Sequence, residues 1–146
     1  MMNDIVIRPA NSADISLVYE LICDLEDTKL DFEAFKSIYN INIRSTEAVY
    51  LVAEYNKAVV GFLSIHVQRI LHHSKPTCEL QELNVFNEYR SMGIGTALMQ
   101  EAERIAKELG LEEIELTTKV FRKRAQDFYN RLGYKNTHLK FVKKLS

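Results

Sequence analysis

The residues with the clearest chemical meaning form a short turn that contains two glycines. Residues 90–95 read Arg-Ser-Met-Gly-Ile-Gly, with a predicted strand before them and a long predicted helix after them. Glycine lets the backbone turn sharply and approach a ligand closely. The first N–H groups of a helix have no intrahelical partner and lie at the positive end of its dipole. Because Arg90 adds a fixed charge with forked geometry, the spacing predicts a pyrophosphate site.

The turn differs from the two commonest phosphate-binding motifs. A Walker loop ends in Gly-Lys-Ser/Thr, which is absent here, and the dinucleotide fingerprint has a third glycine that this stretch lacks. On these six residues alone, a glycine-rich helix start that serves only as a turn remains an alternative.

Two carboxylates precede the turn on the predicted strand. An alkylamine with a pKa of about 10 is almost wholly protonated at pH 7, so its attack on an acyl group needs a base. Glu79 and Glu82 are the candidates, and for either one the alternative is a surface carboxylate in an ion pair. Because they are three apart in a strand, we expect them to point to opposite faces of the sheet, so that only one faces the cleft.

A tyrosine and two cysteines complete the set of reactive side chains. Tyr129, on a predicted helix, is a candidate proton donor for a thiolate leaving group, and the alternative is a tyrosine packed on the core. Cys23 and Cys78 form no Cys-x-x-Cys pair and have no histidine at zinc-ligand spacing. We therefore expect free thiols in a reduced compartment. We expect no acyl-cysteine, since Cys78 has no paired histidine in the motif.

The hydrophobic pattern predicts the elements that position these residues. Strands are predicted over residues 5–8, 48–55, 58–67, 77–86, 113–118 and 134–145, and helices from Ser12 or Asp14, from Asp31, from the glycine turn to Leu109, and over residues 123–132. Asn56-Lys57 is a two-residue hairpin signal. The order β-αα-βββ-α-β-α-β predicts an α/β fold, a mixed sheet with helices on both faces.

Length and composition limit the classes of function. With 146 residues, the chain is expected to form one domain over residues 1–146. A net charge of −1 argues against sequence-independent binding of nucleic acid, which needs a strongly basic face. Membrane association is not expected either, because no apolar run approaches the length of a membrane span. The first residues lack a basic-then-apolar leader pattern, so we expect a cytoplasmic protein.

With these motifs the chain resembles the GNAT superfamily of N-acetyltransferases. The arginine turn matches the family's pyrophosphate turn, and Ala125-x-x-Phe128-Tyr129-x-x-x-Gly133-Tyr134 matches its second signature. The resemblance implies acetyl-CoA as cosubstrate, with the pantetheine arm paired to the strand main chain and Tyr129 near the thioester sulfur. The implied cofactor-binding residues are Leu83, Asn84, Val85, Arg90, Ser91, Met92, Gly93, Ile94, Gly95, Thr96, Arg122, Ala125 and Tyr129. Arg122 stands where many members of the family have asparagine. The contact that this asparagine makes with CoA is therefore replaced or lost here.

Further segments are similar to a subfamily that acetylates the amine of small aminophosphonates. They include Val18-Tyr19-Glu20-Leu21-Ile22-Cys23 and Glu79-Leu80-Gln81-Glu82-Leu83. The resemblance favours Glu79 as the general base, with Glu82 as the alternative, and raises a divalent metal near Glu79 and a histidine. A phosphonate also needs nearby polar or cationic side chains. The candidate substrate-binding residues are Arg44, His66, His73 and Lys119.

The leading expectation is transfer of acetyl from acetyl-CoA to a small primary amine, an aminoalkylphosphonate first, by direct attack in a ternary complex. The alternatives are acetylation of a protein N-terminus or lysine, and a non-catalytic CoA-binding module. Homodimerisation is common in the superfamily. Leu139, Phe141 and Val142 of the last predicted strand are one candidate contact, and the other reading is an ordinary core strand.

Overall fold

Antiparallel strands form most of one sheet in the computed structural model, which describes residues 4–146. The chain divides into a larger unit that ends at Glu115 and a smaller unit, Leu116–Ser146. The strands are β1 (Ile5–Pro9), β2 (Ala48–Tyr55), β3 (Ala58–Ile70), β4 (Lys75–Val85) and β5 (Ile114–Leu116). They lie in the order β1-β2-β3-β4-β5, and the first three pairings are antiparallel. The predicted mixed sheet of an α/β fold is confirmed.

Local sequence signals set the boundaries of the elements. Both residues of the β2–β3 turn, Asn56 and Lys57, have positive φ angles of 49° and 73°, as a tight hairpin turn requires. The helices are α1 (Ile15–Glu26), α2 (Phe32–Ile43), α3 (Ile94–Glu108) and α4 (Lys123–Arg131). The predicted start of α2 at Asp31 is confirmed to within one residue, and the Asp31 carboxylate caps the helix by accepting the Ala34 N–H at 3.1 Å.

The start of α1 differs in detail from the prediction. Asp14, one of the two predicted caps, is the N-cap residue of α1 but accepts no capping hydrogen bond from that helix. A 3₁₀ turn at Ser12–Asp14 precedes the helix, and the Asn11 side chain caps that turn by accepting the Ala13 N–H at 2.9 Å. The Asp14 carboxylate accepts the Asn11 N–H at 2.8 Å, which completes a capping box. Sequence alone could not separate these neighbouring polar residues, because each of them is a good cap.

Helices lie against both faces of the sheet, as predicted. Phe62 of β3 belongs to a buried cluster with Val18 of α1 and Tyr39 of α2. Its neighbour Gly61 points to the other face, where an added Cβ would lie 3.3 Å from Leu98 of α3. Because successive strand residues alternate between faces, α1 and α2 cover one face and α3 covers the other.

The end of the chain contradicts the prediction. No strand is assigned among the described residues after Tyr134, so the predicted strand over residues 134–145 is wrong. Leu139, Phe141 and Val142 are largely exposed, so they are not core residues. Alternation of apolar residues says which side chains share a face, but a strand also needs a partner ladder, which the pattern does not supply.

An ion-pair node joins β1, β2 and the start of α1. The Arg8 guanidinium donates to both Asp14 oxygens at 2.8 and 2.9 Å, and its Nε donates to Glu54 at 2.7 Å. Burial acts to raise the pKa of Asp14, but the hydrogen bonds from Arg8 and from the Asn11 N–H outweigh it, and the net pKa is lowered.

We predict that Asp14→Asn lowers the free energy of unfolding by about 2 kcal/mol at pH 7, because it removes a charged partner of Arg8 from a partly buried ion pair. A lowered native pKa stabilises the fold above the unfolded pKa of about 4, and this stabilisation is lost as the pH falls through the native pKa. The difference from wild type should therefore shrink in urea melts at about pH 3. Asp27→Asn, at the exposed end of α1, is the matched control, and an equal loss there would contradict the node's role.

Candidate active site

A β-bulge on β4 arranges the carboxylates before the turn. Ser64 of β3 lies opposite Glu82, but the next residue, Ile65, lies opposite Leu80, so Gln81 is the extra residue on β4. Such a bulge inserts one residue into a strand and re-aims the side chains on one side of it. Gln81 itself is exposed to solvent.

The bulge overturns the expectation that Glu79 and Glu82 point to opposite faces. Glu82 pairs with Ser64 and Glu79 pairs with His66, and those two β3 residues are two apart and therefore share a face. Both carboxylates consequently lie on the face covered by α1 and α2, the face of Phe62. The rule of two-residue alternation failed because it assumes an uninterrupted ladder.

Side chains from β3 hold both carboxylates. The Ser64 hydroxyl donates to Glu82, and the Gln68 side-chain amide donates to Glu79 at 3.0 Å. Sequence analysis missed Ser64 and Gln68. The signal was present in the alternation of Ser64, His66 and Gln68 along an otherwise apolar strand, which marks one polar face.

A cavity of about 180 Å³ opens beside Glu82 between the sheet and the first two helices. Four aliphatic and four aromatic residues line it together with Glu82, and Tyr39 and Phe62 are among the aromatic ones. A further lining residue, Tyr50, accepts a hydrogen bond from the Asn42 amide at 2.8 Å, and its ring lies 6.2 Å from that of His66. Burial and the Glu82 charge raise the pKa of Tyr50, while the Asn42 hydrogen bond lowers it.

The glycine turn begins α3 as predicted, but a 3₁₀ turn at Asn87–Tyr89 separates it from the end of β4 at Val85. Ser91 and Gly93 have φ angles of 64° and 85°, and Gly93 is the N-cap of the helix, where an added Cβ would meet open space. The N-cap supplies no side-chain hydrogen bond, and the first turn of α3 carries no acidic residue. The Gly93 carbonyl accepts the Ala97 N–H at 3.0 Å, so the earlier N–H groups of the helix lack carbonyl partners within it. The arrangement can bind an anion.

Arg90 is directed toward the end of β4. Its Nε donates to the Val85 carbonyl at 2.9 Å, and its Nη2 donates to Asn84 at 3.1 Å and reaches Asp24 at 3.5 Å. The Asn84 amide in turn donates to Asp24 and to the Leu21 carbonyl, both at 2.9 Å. Arg90 therefore braces the turn against β4 and the end of α1, a contact with Asp24 that sequence analysis did not foresee.

Tyr129 lies on α4 in the smaller unit. It is half-buried, and its ring meets those of Phe128 and Tyr134 edge-on at 5.2 and 5.9 Å. Burial raises the pKa of Tyr129 to about 12, so the phenol keeps its proton at neutral pH. Such a group can donate a proton but does not act as a base.

The turn before α4 is also built within the smaller unit. The Gln126 side chain donates to the carbonyls of Lys119 and Val120 at 3.1 and 3.0 Å. The Lys119 ammonium lies 5.9 Å from the centre of the Phe121 ring. Arg122 is the N-cap of α4, and Ala125 lies in its first turn. This turn therefore carries both Lys119 and Arg122, the predicted substrate and cofactor contacts of the smaller unit.

The predicted substrate residues of the larger unit lie in different places. His66 shares the carboxylate face, Arg44 is exposed at the end of α2, and His73 approaches Glu113 and Glu115 at 4.0 and 3.7 Å. These last three are the group of possible metal ligands among the described residues, and Glu79 is not one of them.

The two thiols are free, as predicted. Cys78 is buried and its Sγ donates to the Glu113 carbonyl at 3.7 Å. Burial raises the pKa of Cys78 to about 11, with a smaller contribution from Glu115. A thiol that stays protonated is a poor nucleophile, so its environment disfavours an acyl-cysteine. No helix among residues 4–146 is long and apolar enough to cross a membrane.

Comparison with known proteins gives one consistent result. The profile of the Acetyltransferase (GNAT) family matches residues 15–134. The chain is 40% identical over 139 residues to aminoalkylphosphonate N-acetyltransferase of Salmonella typhimurium, covering 95% of this chain and 90% of that protein. It is 32% identical over 101 residues to an N-alpha-acetyltransferase of Sulfurisphaera tokodaii, covering 64% of this chain and 60% of the relative.

Solved structures share the fold. Aminoglycoside N-acetyltransferase AAC(6')-Iy in complex with CoA superposes with a TM-score of 0.88 at 17% identity, covering 100% of this chain and 98% of that one. A transcriptional regulator from Bacillus halodurans C-125 also gives a TM-score of 0.88, at 22% identity, covering 97% of this chain and 100% of that one.

Proposed function

The chain belongs to the acetyltransferase (GNAT) family, and from this premise we propose that it transfers acetyl from acetyl-CoA to the primary amine of an aminoalkylphosphonate. The observation that carries the proposal is that Glu79 and Glu82 share one sheet face on the strand before the anion-binding turn, with Glu82 lining a cavity. The 40% identity to the Salmonella enzyme over nearly the whole chain supports the acceptor class.

The glycine turn would hold the pyrophosphate of acetyl-CoA. The first N–H groups of α3 and the positive end of its dipole supply the attraction, and Gly93 leaves space for the approach. The main chain of Leu83, Asn84 and Val85 would pair with the pantetheine arm. Arg90 holds the turn to that end of the strand through its hydrogen bonds to Val85 and Asn84. In the smaller unit, Arg122 would meet the CoA phosphates.

The two carboxylates would have different roles toward the amine. Acetyl-CoA supplies the acetyl group as a thioester. The incoming ammonium must lose one proton before its nitrogen can attack, and a second as the C–N bond forms and the C–S bond breaks. Glu82 lies in the cavity wall, where it holds the incoming ammonium as a counter-ion. Glu79, held by Gln68, takes each of these protons directly or through a water and releases it to solvent. Tyr129 gives its proton to the thiolate and regains one from solvent; its raised pKa keeps the phenol protonated but makes it a weaker acid than an ordinary tyrosine.

The phosphonate would lie outside the cavity, where polar side chains are available. His66 shares the face of both carboxylates, and Arg44 is at the end of α2. His73 already faces Glu113 and Glu115 and is the weaker candidate. Lys119 is the candidate from the smaller unit.

The divalent metal predicted near Glu79 gains no support from the side chains that could coordinate it. His66 is opposite Glu79, but neither belongs to the group of three described side chains that could share an ion, so we route no step through a metal. A cytoplasmic location fits the two free thiols. A homodimer through the exposed Phe141 region can be tested by sedimentation.

The function is tested by thiol release from acetyl-CoA with a panel of amines. We expect turnover with 2-aminoethylphosphonate and aminomethylphosphonate and little with N-terminal peptides or aminoglycosides. Turnover of the peptides alone would assign the chain to protein acetylation. CoA binding without turnover of any amine would indicate a non-catalytic module.

We predict different kinetic changes for Glu79→Gln and Glu82→Gln. The first variant should lower kcat about 100-fold, the usual contribution of a general base, with little change in the acceptor KM. The second should mainly raise the acceptor KM, because it removes a counter-ion. Steady-state kinetics with an aminophosphonate measure both, and Glu33→Gln on the exposed surface of α2 is the control. The reverse pattern would exchange the two roles.

We predict that Arg90 contributes to CoA affinity through its brace rather than its charge. Glutamine keeps a planar amide donor without the charge, whereas lysine keeps the charge but lacks the planar donor that meets the Val85 carbonyl. Arg90→Gln should therefore bind CoA within about threefold of wild type and Arg90→Lys about tenfold more weakly, the equivalent of one lost hydrogen bond. Calorimetric titration with CoA measures both, with Arg104→Gln on α3 as the control. Tighter binding by the lysine variant would identify Arg90 as a phosphate ligand.

A further inference from the structure

We infer that Thr77 is a positioning residue for the acetyl transfer: its hydroxyl holds an ordered water beside Glu79, and this water carries away the protons that Glu79 takes from the amine. The inference rests on the proposed function and deepens the role of its general base. It concerns only the larger unit, where Thr77, Glu79 and their partners on β3 all lie.

Thr77 carries a buried hydroxyl that no protein group satisfies. The residue is 1% exposed, and within the part of the chain that the structure describes its Oγ1 is the one buried side-chain oxygen or nitrogen without a hydrogen-bond partner. An unpaired buried hydroxyl is destabilising, and in native proteins such groups pair with protein or with ordered water. Because Oγ1 is closed off from bulk solvent, a water that it binds is a trapped one.

The strand register puts this hydroxyl beside the general base. Thr77 lies opposite Gln68 and Glu79 lies opposite His66, with no bulge between the two pairs. Residues two apart in a strand share a face, about 7 Å from each other, so Thr77 and Glu79 are neighbours on the face of both carboxylates. One water with a hydrogen bond of about 2.8 Å on each side spans most of that interval.

The side chains around this position supply the partners that a buried water needs. The Gln68 amide donates to one oxygen of Glu79 at 3.0 Å. A carboxylate has a second accepting oxygen, and the amide of Gln68 has an accepting oxygen of its own. With the Thr77 hydroxyl these make three polar groups around one point, and buried waters make about three hydrogen bonds.

The same row of residues leads away from the site to solvent. Beyond Gln68 and Thr77 the ladder continues with residues 69–70 opposite residues 75–76, all of them exposed. Bound acetyl-CoA and acceptor would cover the other side of Glu79. Each proton that the carboxylate takes passes to the water, and the water gives one of its own protons to solvent. Carboxylate and water thereby both return to their starting state.

The first test compares Thr77→Val with Thr77→Ser. Valine keeps the branched shape but lacks the hydroxyl, so kcat with an aminophosphonate should fall about tenfold, the equivalent of one lost hydrogen bond. The acceptor KM and the affinity for CoA should not change. Serine keeps the hydroxyl and should restore kcat to within about threefold of wild type. Thr28→Val, at an exposed position after α1, is the control. Equal losses in the valine and serine variants would show a packing role and overturn the inference.

The second test measures the solvent deuterium isotope effect on kcat. Without the water, release of the proton from Glu79 becomes the slow step of turnover. The isotope effect should therefore be larger in Thr77→Val than in wild type, and unchanged in Thr28→Val. The same isotope effect in all three proteins would contradict the relay.

Thermal melting decides on the water without any turnover. If the Thr77 hydroxyl binds a water, valine removes a satisfied hydrogen bond and Tm falls, whereas removal of an unpaired hydroxyl raises it. A Tm at or above that of wild type would overturn the inference. Turnover of no amine, with CoA still bound, would reject the proposed function, and the melting temperatures would still show whether Thr77 holds the water.

Discussion

One extra residue in β4 decides what the rest of the site can do. With Gln81 inserted, Glu79 and Glu82 lie on the same face of the sheet, opposite His66 and Ser64. In an uninterrupted strand one of them would point toward α3, away from the cavity. The bulge costs a local break in the ladder, and it places both charges on one face, with Glu82 at the apolar cavity. The chemistry that we propose for the amine depends on that alignment.

Helix α1 contacts both the cavity beside Glu82 and the arginine of the glycine turn. α1 contributes Val18 to the cavity wall through one face and Asp24 to the Arg90 brace through its last turn. Asn84, buried at the end of β4, hydrogen-bonds both Asp24 and Arg90. The cavity beside Glu82 and the glycine turn therefore both contact α1.

The sequence predicted the fold closely where the signals are local. The hairpin at Asn56-Lys57, the cap at Asp31 and the helix after the glycine turn all depend on a few adjacent residues, and all are present. The missing last strand and the faces of Glu79 and Glu82 depend on which backbone groups pair with which. That information is not contained in the alternation of apolar residues.

For the site, residue types were easier to predict than partners. The carboxylates, the glycine turn and Tyr129 are recognisable by chemistry, whereas Ser64, Gln68 and Asp24 became apparent only through their hydrogen bonds. The absent side chain of Gly61 has a related consequence. A methyl group there would come within 3.3 Å of both Leu98 and Val85, so glycine sets the thickness of the layer between sheet and α3. Glycine at this position therefore permits a closer approach of α3, the helix that begins at the glycine turn, than a larger residue would allow.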